Sequence, residues 1–413
     1  MRLVVLSLEF DASTFSGNGT YAQSQVRGLC GCGHDVLVVC GRPAAAAAAG
    51  VAIDGNPRVL YLDVDQEKWG ALDRHSPWES FARRAAERET VAAITRFGAE
   101  VALAVDWSGV GAFEATGLGA ELKLVYLVYR VFSANSAATA TAAEDNAWHA
   151  AREKRALTLA DATVALCRHD VATLGALAAG TGAPVAAVLL PALRAPLRDL
   201  ACAAQVAPSG AARDTLLCCV RLSPEKNAEL FVELLENFAA REKESGGVLA
   251  RHGVRAKIVS NTDSPYAAQL RVRARACGAE LVETFQDPAQ MAAHFATTLL
   301  NVHTSLSEAY GMTIVEAAAF GAPSVINHKT GGDAPGSVGA TDLLLSGDAG
   351  ASPPFVALDY SRGVAALAKS VEAALCDRTA MAALGNAAAQ TALAWDEAAN
   401  AQWLVANVLA ALV

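Results

Sequence analysis

Residues 3–8 (LVVLSL) are apolar but for Ser7, and the run stops at Glu9 and Asp11. A strand covered on both faces of a parallel sheet reads this way. A loop with Gly17 and Gly19 follows, then a helix from about Thr20 to Cys30, a turn at Gly33-His34 and a strand over Asp35–Cys40. This strand–helix–strand order opens a doubly wound sheet. Further strands are predicted at Val59–Leu62, Val101–Val105, Leu124–Tyr129, Ala162–Cys167 and Val185–Leu190, with the clearest helices at 78–97 and 144–160. Residues 43–50 (PAAAAAAG) read as a surface loop or insertion.

Three prolines and a Pro-Ser-Gly over 191–213 predict a linker. The alternation then restarts. Strands are predicted at Thr215–Val220, Ala256–Ser260, Glu280–Thr284, Thr298–His303 and Ser324–Asn327, and helices at 226–243, 264–277 and 288–296. Another helix opens near Gly311 and stops at Gly321-Ala-Pro323, with Gly just past its end and Pro two residues later. Residues 362–413 read as largely helical. The expected organisation is α/β: two Rossmann-like doubly wound domains at 1–195 and 214–394, a linker at 196–213, and a closing helix at 395–413. A cleft between two such domains is where a small ligand would sit.

Composition sharpens this. A chain of 413 residues suits two domains, and 53% hydrophobic against 18% charged residues excludes general disorder. Much of that apolar count is alanine, so the core is less bulky than the percentage implies. No apolar stretch reaches the roughly 18 residues of a membrane helix, and the N-terminal run is too short for a secretory signal. The net charge of −9 argues against bulk nucleic-acid binding. Nine cysteines lie at irregular spacings without a C-x-x-C pair; Cys30-Gly-Cys32 is the nearest approach. They read as reduced thiols, so a cytoplasmic location is expected. No two histidines show zinc-ligand spacing with a carboxylate, so no metal is expected.

The richest segment is 305–323, SLSEAYGMTIVEAAAFGAP. Glu308 falls in the loop after a strand, and Glu316, eight residues on, in the first turns of the next helix. The N–H groups from about Gly311 to Ile314 would be the open donors of that helix start, able to take an anion. Two carboxylates beside them can bind hydroxyls and phosphate together, or can simply favour the helix's positive end. A second element, Arg221-Leu-Ser-Pro-Glu-Lys226, ends a strand and begins a helix, at the carboxyl edge where open α/β sheets bind ligands. A planar fork and a point charge suit a diphosphate; solvated loop charges are the other reading. The loop Ser16-Gly-Asn-Gly-Thr20 offers backbone amides or a tight turn, and Ala22 stands where a dinucleotide fingerprint needs its third glycine. Of the histidines, His34 fits a structural turn and His149 packing beside Trp148; His169 follows a strand and stays open as a ligand contact, and His303 is open between core and site.

Arg-Leu-x-x-x-Lys after a strand, then Ser-x-x-Glu-x-x-Gly-x-x-x-x-Glu-Ala, then Gly-x-Pro and Gly331-Gly332, resembles the retaining glycosyltransferases of family 4 (glycosyl transferases group 1), which have the GT-B fold. The N-terminal echoes are the Gly17–Gly19 loop, Gly33-His34, Asp106-Trp107 after a strand, and Trp395 before a final helix that would cross back to the first domain. The resemblance makes residues 1–195 the acceptor side and 214–394 the nucleotide-sugar domain. It implies that Arg221 and Lys226 bind the donor diphosphate, Glu316 the ribose hydroxyls and Glu308 the transferred sugar. Tyr310, Gly311, Met312 and Thr313 would present helix-start amides, and Asn261 and Phe285 would lie near the base. Gly17 and Gly19 would join the donor contacts, and Asp106 and Arg130 the reacting centre with Glu308. Many members carry a histidine where this chain reads Val-Tyr-Leu-Val-Tyr129-Arg130, so that sugar contact would differ, or Arg130 or Tyr129 would take its place; Ser260-Asn261-Thr262-Asp263 stands where a glycine-rich turn is usual.

What the resemblance implies is a metal-independent, retaining hexosyltransferase. It would use a UDP- or GDP-linked sugar as substrate and no cofactor, and would act on a hydroxyl acceptor that is a glycan, a lipid or a small molecule. Peripheral contact with a membrane stays open. Asp63-Val-Asp65 has the letters of a metal-binding D-x-D but reads as a loop in the N-terminal half. A GT-B sugar-nucleotide epimerase, a non-catalytic nucleotide-sugar-binding scaffold and a phosphorylase-like enzyme are the alternatives.

Overall fold

In the computed structural model, which describes residues 1–10, 17–43, 58–67, 75–134, 140–183, 186–206, 213–241, 247–328, 337–346 and 353–413, the apolar runs become parallel strands in two sheets. The chain divides into two units, Met1–Ala192 with Glu397–Val413, and Leu193–Asp396.

The first unit carries β1 (Arg2–Ser7), α1 (Gly17–Gly31), β2 (Asp35–Pro43), β3 (Arg58–Val64), α2 (Ser76–Ala85), α3 (Arg88–Phe97), β4 (Val101–Val105) and α4 (Asp106–Thr116). Then come β5 (Lys123–Val128), α5 (Ala140–Leu159), β6 (Ala162–Ala165), α6 (Arg168–Leu177) and β7 (Ala187–Val188). The sheet order is β3-β2-β1-β4-β5-β6-β7, all parallel, so the winding reverses between β1 and β4. Every side chain of β4 is buried, as a central strand flanked by helices requires.

The second unit runs α7 (Ala195–Val206), β8 (Thr215–Cys218), α8 (Glu229–Ala240), α9 (Gly247–Arg251), β9 (Arg255–Val259), α10 (Pro265–Ala276), β10 (Glu280–Val282) and α11 (Pro288–Thr297). It continues with β11 (Thr298–Val302), α12 (Met312–Ala319), β12 (Ser324–Asn327), α13 (Ala340–Leu344), β13 (Val356–Leu358), α14 (Gly363–Cys376) and α15 (Arg378–Ala394). Its sheet order is β10-β9-β8-β11-β12-β13, reversing between β8 and β11. Local chemistry explains the boundaries. Asp287 and Gln290 close a capping box at the start of α11, with Pro288 at its first position. Leu230, Phe231, Leu234, Leu235 and Phe238 give α8 its buried face.

The last helix, α16 (Glu397–Asn407), belongs to the first unit and packs on α1. Gly28 makes that approach feasible: a Cβ there would lie 2.3 Å from the Glu397 carbonyl oxygen. Glu397 accepts from Ser24 Oγ at 2.8 Å and pairs with Arg27 Nη2 at 2.7 Å.

Several expectations need correction. The loop at Gly17–Gly19 is the first turn of α1. The helix expected over 78–97 is broken in two, because Glu87 takes an extended conformation and starts α3. Most of the expected linker is α7: Pro196 occupies an opening position, where a missing N–H costs little, and Leu197 and Ala201 are fully buried. Asp63 is on β3 rather than in a loop. Strand β8 ends before Arg221, and the helix expected from 226 begins at Glu229 after a short 3₁₀ turn. Ser16, the alanine run at 44–50, residues 207–212 and Gly331-Gly332 lie outside the described residues.

Candidate functional site

Two loops meet at the reversal point of the second sheet. Lys226 ends the 3₁₀ turn Pro224–Lys226 beyond β8, and Glu308 lies in the loop beyond the neighbouring β11. Lys226 Nζ donates to both Glu308 oxygens, at 2.6 and 2.7 Å. The loops are tied by their backbones as well: Thr304 Oγ1 donates to the Lys226 carbonyl at 2.7 Å, and Asn227 Nδ2 to the Thr304 carbonyl at 3.3 Å. Asn227 takes φ +49°, a left-handed conformation that Asn tolerates. Glu308 itself is pinned, its N–H donating to Ser337 O at 2.8 Å and its carbonyl accepting from Gly339 N–H at 3.0 Å. His303, buried at the end of β11, brings Nε2 to 3.6 Å from Glu308 Oε2. Burial alone would raise the Glu308 carboxyl. The His303 ring and the Lys226 charge outweigh it and hold the group well below the usual carboxylate range.

Gly311 precedes α12 at φ +91°, a conformation that suits glycine alone. The Met312 and Thr313 amides open the helix, where N–H groups have no partner within it. The Ile314 N–H, expected to be free, donates to the Gly311 carbonyl at 3.0 Å. Tyr310 is buried, and its carbonyl accepts from Ala340 N–H at 2.6 Å. One turn into α12, Glu316 is 4% exposed, and Arg194 Nε and Nη2 converge on its Oε1 at 2.8 and 2.6 Å.

Arg221, Asn261 and Phe285 stand in the loops beyond β8, β9 and β10, three neighbouring strands of the sheet. Arg221 is exposed and lies 3.4 Å from Glu225 Oε1. Asn261 is exposed, and Phe285 is 74% exposed, an uncommon place for a phenyl ring. The loop around Asn261 is braced without glycine: Ser260 Oγ and Thr262 Oγ1 each accept from the Leu222 N–H at 3.1 Å, and Arg271 Nη2 donates to the Thr262 carbonyl at 2.6 Å.

The first unit has its own cluster at the β1–β4 reversal. Asp106 opens α4 at φ +53° and is buried. Its Oδ1 accepts from the N–H groups of Tyr129 at 2.8 Å and Arg130 at 3.3 Å, and its Oδ2 from Asn18 Nδ2 at 2.6 Å. Burial pushes its carboxyl up to about 8, against the pull of those backbone donors. The Arg130 guanidinium lies 5.3 Å from the Phe132 ring, and Tyr129 is buried with its ring 4.4 Å from Tyr21. Gly17 and Gly19 sit in the opening of α1, on either side of Asn18. His149 is a packing residue, as its neighbour Trp148 suggested: it is buried beside Trp78, Trp107 and Phe132.

The structure thus gathers Lys226, Glu308, the α12 opening and Glu316 in the second unit, and Asp106, Arg130 and the α1 opening in the first. Sequence reasoning missed Arg194 and Asn18. Arg194 fell in a segment read as linker, and Asn18 was hidden between two glycines; neither carried a motif.

Residues 205–334 match the family "Glycosyl transferases group 1", a span that includes Arg221, Lys226, Glu308 and Glu316. No curated protein matches the sequence. Among solved structures, the chain is similar to sucrose-phosphate synthase from Thermosynechococcus elongatus, at TM-score 0.76 and 15% identity over 99% of both chains. It is also similar to the Anabaena protein HepE in complex with UDP and glucose, at TM-score 0.65 and 16% identity over 100% of both. The catalytic domain of starch synthase IV from Arabidopsis thaliana, bound to ADP and acarbose, gives TM-score 0.67 and 11% identity over 100% of this chain and 99% of that one. The fold is therefore the two-domain, Rossmann-like GT-B arrangement.

Proposed function

We propose that the chain is a retaining, metal-independent glycosyltransferase of family 4, moving a hexose from a nucleoside-diphosphate sugar to an acceptor hydroxyl. The observation that carries this reading is the Lys226–Glu308 pair across the β8–β11 reversal, with the open amides of α12 beside it. Open α/β sheets bind their ligands at such a reversal.

In this reading Arg221, Lys226 and the Met312–Thr313 amides take the diphosphate. Charge grows on that group as the glycosidic bond breaks, and preorganised donors stabilise it without reorganisation. Glu308, held ionised by Lys226, faces the transferred sugar. Glu316 takes the ribose hydroxyls, and Phe285 offers a ring for the base to stack on. Same-face attack, with the leaving phosphate accepting the acceptor's proton, accounts for retention. Asp106 and Arg130 serve the acceptor side. The family match over 205–334 supports the transferase class. The ligands named for the structural neighbours, UDP with glucose and ADP with acarbose, support a UDP- or ADP-linked donor alongside the GDP option. None of the nine cysteines is paired in a disulfide, which fits a cytoplasmic enzyme.

The test is a thermal-shift screen of UDP-, GDP- and ADP-sugars followed by product analysis with and without EDTA. A donor at 100 times its Kd should add about 2.7 kcal/mol of stability. Transfer with retained anomeric configuration, unaffected by EDTA, is the expected result. Interconversion of sugar-nucleotide isomers with no transfer, or activity lost to EDTA and restored by manganese, overturns the reading.

A further inference from the structure

We infer that Arg194 is a positioning residue for nucleotide recognition: it fixes the Glu316 carboxylate so that Oε2 is presented to the vicinal hydroxyls of a ribose. This rests on the donor-site reading above and adds to it a residue from outside the family motif.

Glu316 is 4% exposed, and a carboxyl group that deep needs a hydrogen-bond partner. Arg194 supplies one, with Nε and Nη2 both on Oε1 at 2.8 and 2.6 Å. Two donors fill the lone pairs of that oxygen. Among the described residues no hydrogen bond reaches Oε2, which keeps two acceptor sites for a ligand with two O–H donors. A ribose diol matches that count, and a deoxyribose or a dideoxyribose does not.

The arginine is itself held in place. Leu193 N–H donates to the Trp395 carbonyl at 3.0 Å, and Leu193 bridges to Asp396. The Arg194 carbonyl accepts from the N–H groups of Leu197 at 3.1 Å and Arg198 at 3.0 Å, so it opens α7. Leu197 and Ala201 are fully buried and anchor that helix. The guanidinium therefore extends from a fixed backbone, and its planar fork can clamp one oxygen where a lysine would offer a mobile point charge. The opposite role, a plug that occupies the ribose position, predicts the opposite sign: removing it would tighten binding.

Calorimetry with UDP, GDP and ADP and their 2′,3′-dideoxy counterparts decides this, on the wild type, Arg194→Met and Arg194→Lys. The wild type should prefer one ribonucleotide over its dideoxy form by about ten-fold, the equivalent of about 1.4 kcal/mol. Arg194→Met should lose that preference by weakening the ribonucleotide alone, leaving dideoxy affinity unchanged. Arg194→Lys keeps a charge beside Glu316 and so guards against misfolding; it should retain part of the preference. Unchanged selectivity in both variants, or tighter ribonucleotide binding in either, overturns the inference. Failure of the wild type to bind any of the three nucleotides overturns the donor-site reading itself, and this inference with it.

Discussion

Lys226 and Glu308 are joined at 2.6 and 2.7 Å across the point where the second sheet reverses its winding. Asn18 and Asp106 make the equivalent link in the first sheet, at 2.6 Å across the β1–β4 reversal. At a reversal the loops leaving two adjacent strands run to opposite faces, which opens a crevice between them. A polar pair spans each crevice, an ion pair in the second sheet and an amide–carboxyl hydrogen bond in the first.

Replacing Lys226 with Met should leave Glu308 charged without its partner. Both side chains keep a little under a fifth of their exposure, so the loss should be about 1–3 kcal/mol, below that of a fully buried pair. The Glu308 carboxyl is held below its unfolded value of about 4.3, so its contribution is present above that pH and lost as pH falls toward the folded value. Urea unfolding of wild type and Lys226→Met should differ most near pH 7 and converge below about pH 4. A constant difference across that range would place the stabilisation elsewhere.

Asp106 gives the opposite slope. Its carboxyl, pushed up to about 8 by burial, is protonated in the folded state where the unfolded chain has already lost the proton. The native state then binds more protons, so stability from this group falls as pH rises from about 4 to about 8. Asp106→Asn cannot ionise, and Asn tolerates the left-handed backbone at this position. The variant should gain on the wild type steadily between pH 5 and 8 in thermal unfolding; parallel profiles would show that Asp106 is ionised throughout.

The strands were legible because buried parallel strands are short apolar runs bounded by glycine and polar turns, as in Val101–Val105 and Ser324–Asn327. The edge strand β13 was not: it is three residues long and only partly buried, which leaves no periodicity to read. The misread linker shows a different limit. Proline marks a helix opening as readily as a loop, and only the burial of Leu197 and Ala201 separates the two at Pro196. In the site, Glu308 and Glu316 stood out because they flank a glycine that must turn, and Lys226 because it follows Arg221 at a fixed spacing beyond a strand. Arg194 meets Glu316 from 122 residues away, and a pairing set by tertiary packing leaves no local trace.

Gly28→Ala should loosen the contact between α1 and α16, because the added methyl would lie 2.3 Å from the Glu397 carbonyl and 3.2 Å from Ala401 Cβ. Both obstacles are stiff, a backbone oxygen and a short side chain on a packed helix. Overpacking of this kind costs roughly 1–3 kcal/mol. Hydrogen exchange should show faster exchange of the 397–407 amides, with β8 and β11 unchanged. Uniform acceleration across both units would mean instead that the variant unfolds globally.

Glu308 and Glu316 should separate in kinetics. Glu308 lies in a pinned loop, tied to Lys226 and beside the α12 amides; Glu316 lies a turn inside the helix, tied to Arg194. A group at the reacting sugar acts most strongly as charge develops, whereas ribose contacts are the same before and during the chemical step. Glu308→Gln should lower kcat by roughly 10²–10³, the scale of one lost electrostatic contact at a reacting centre, with donor KM little changed. Glu316→Gln should raise donor KM by about ten-fold with kcat nearly intact, since one weakened hydrogen bond to a charged group is worth roughly 1.5–3 kcal/mol. Steady-state kinetics with the donor found by the binding screen makes the comparison. Equal changes in both parameters for both variants would show that the two carboxylates, though held by different cations, act as one unit.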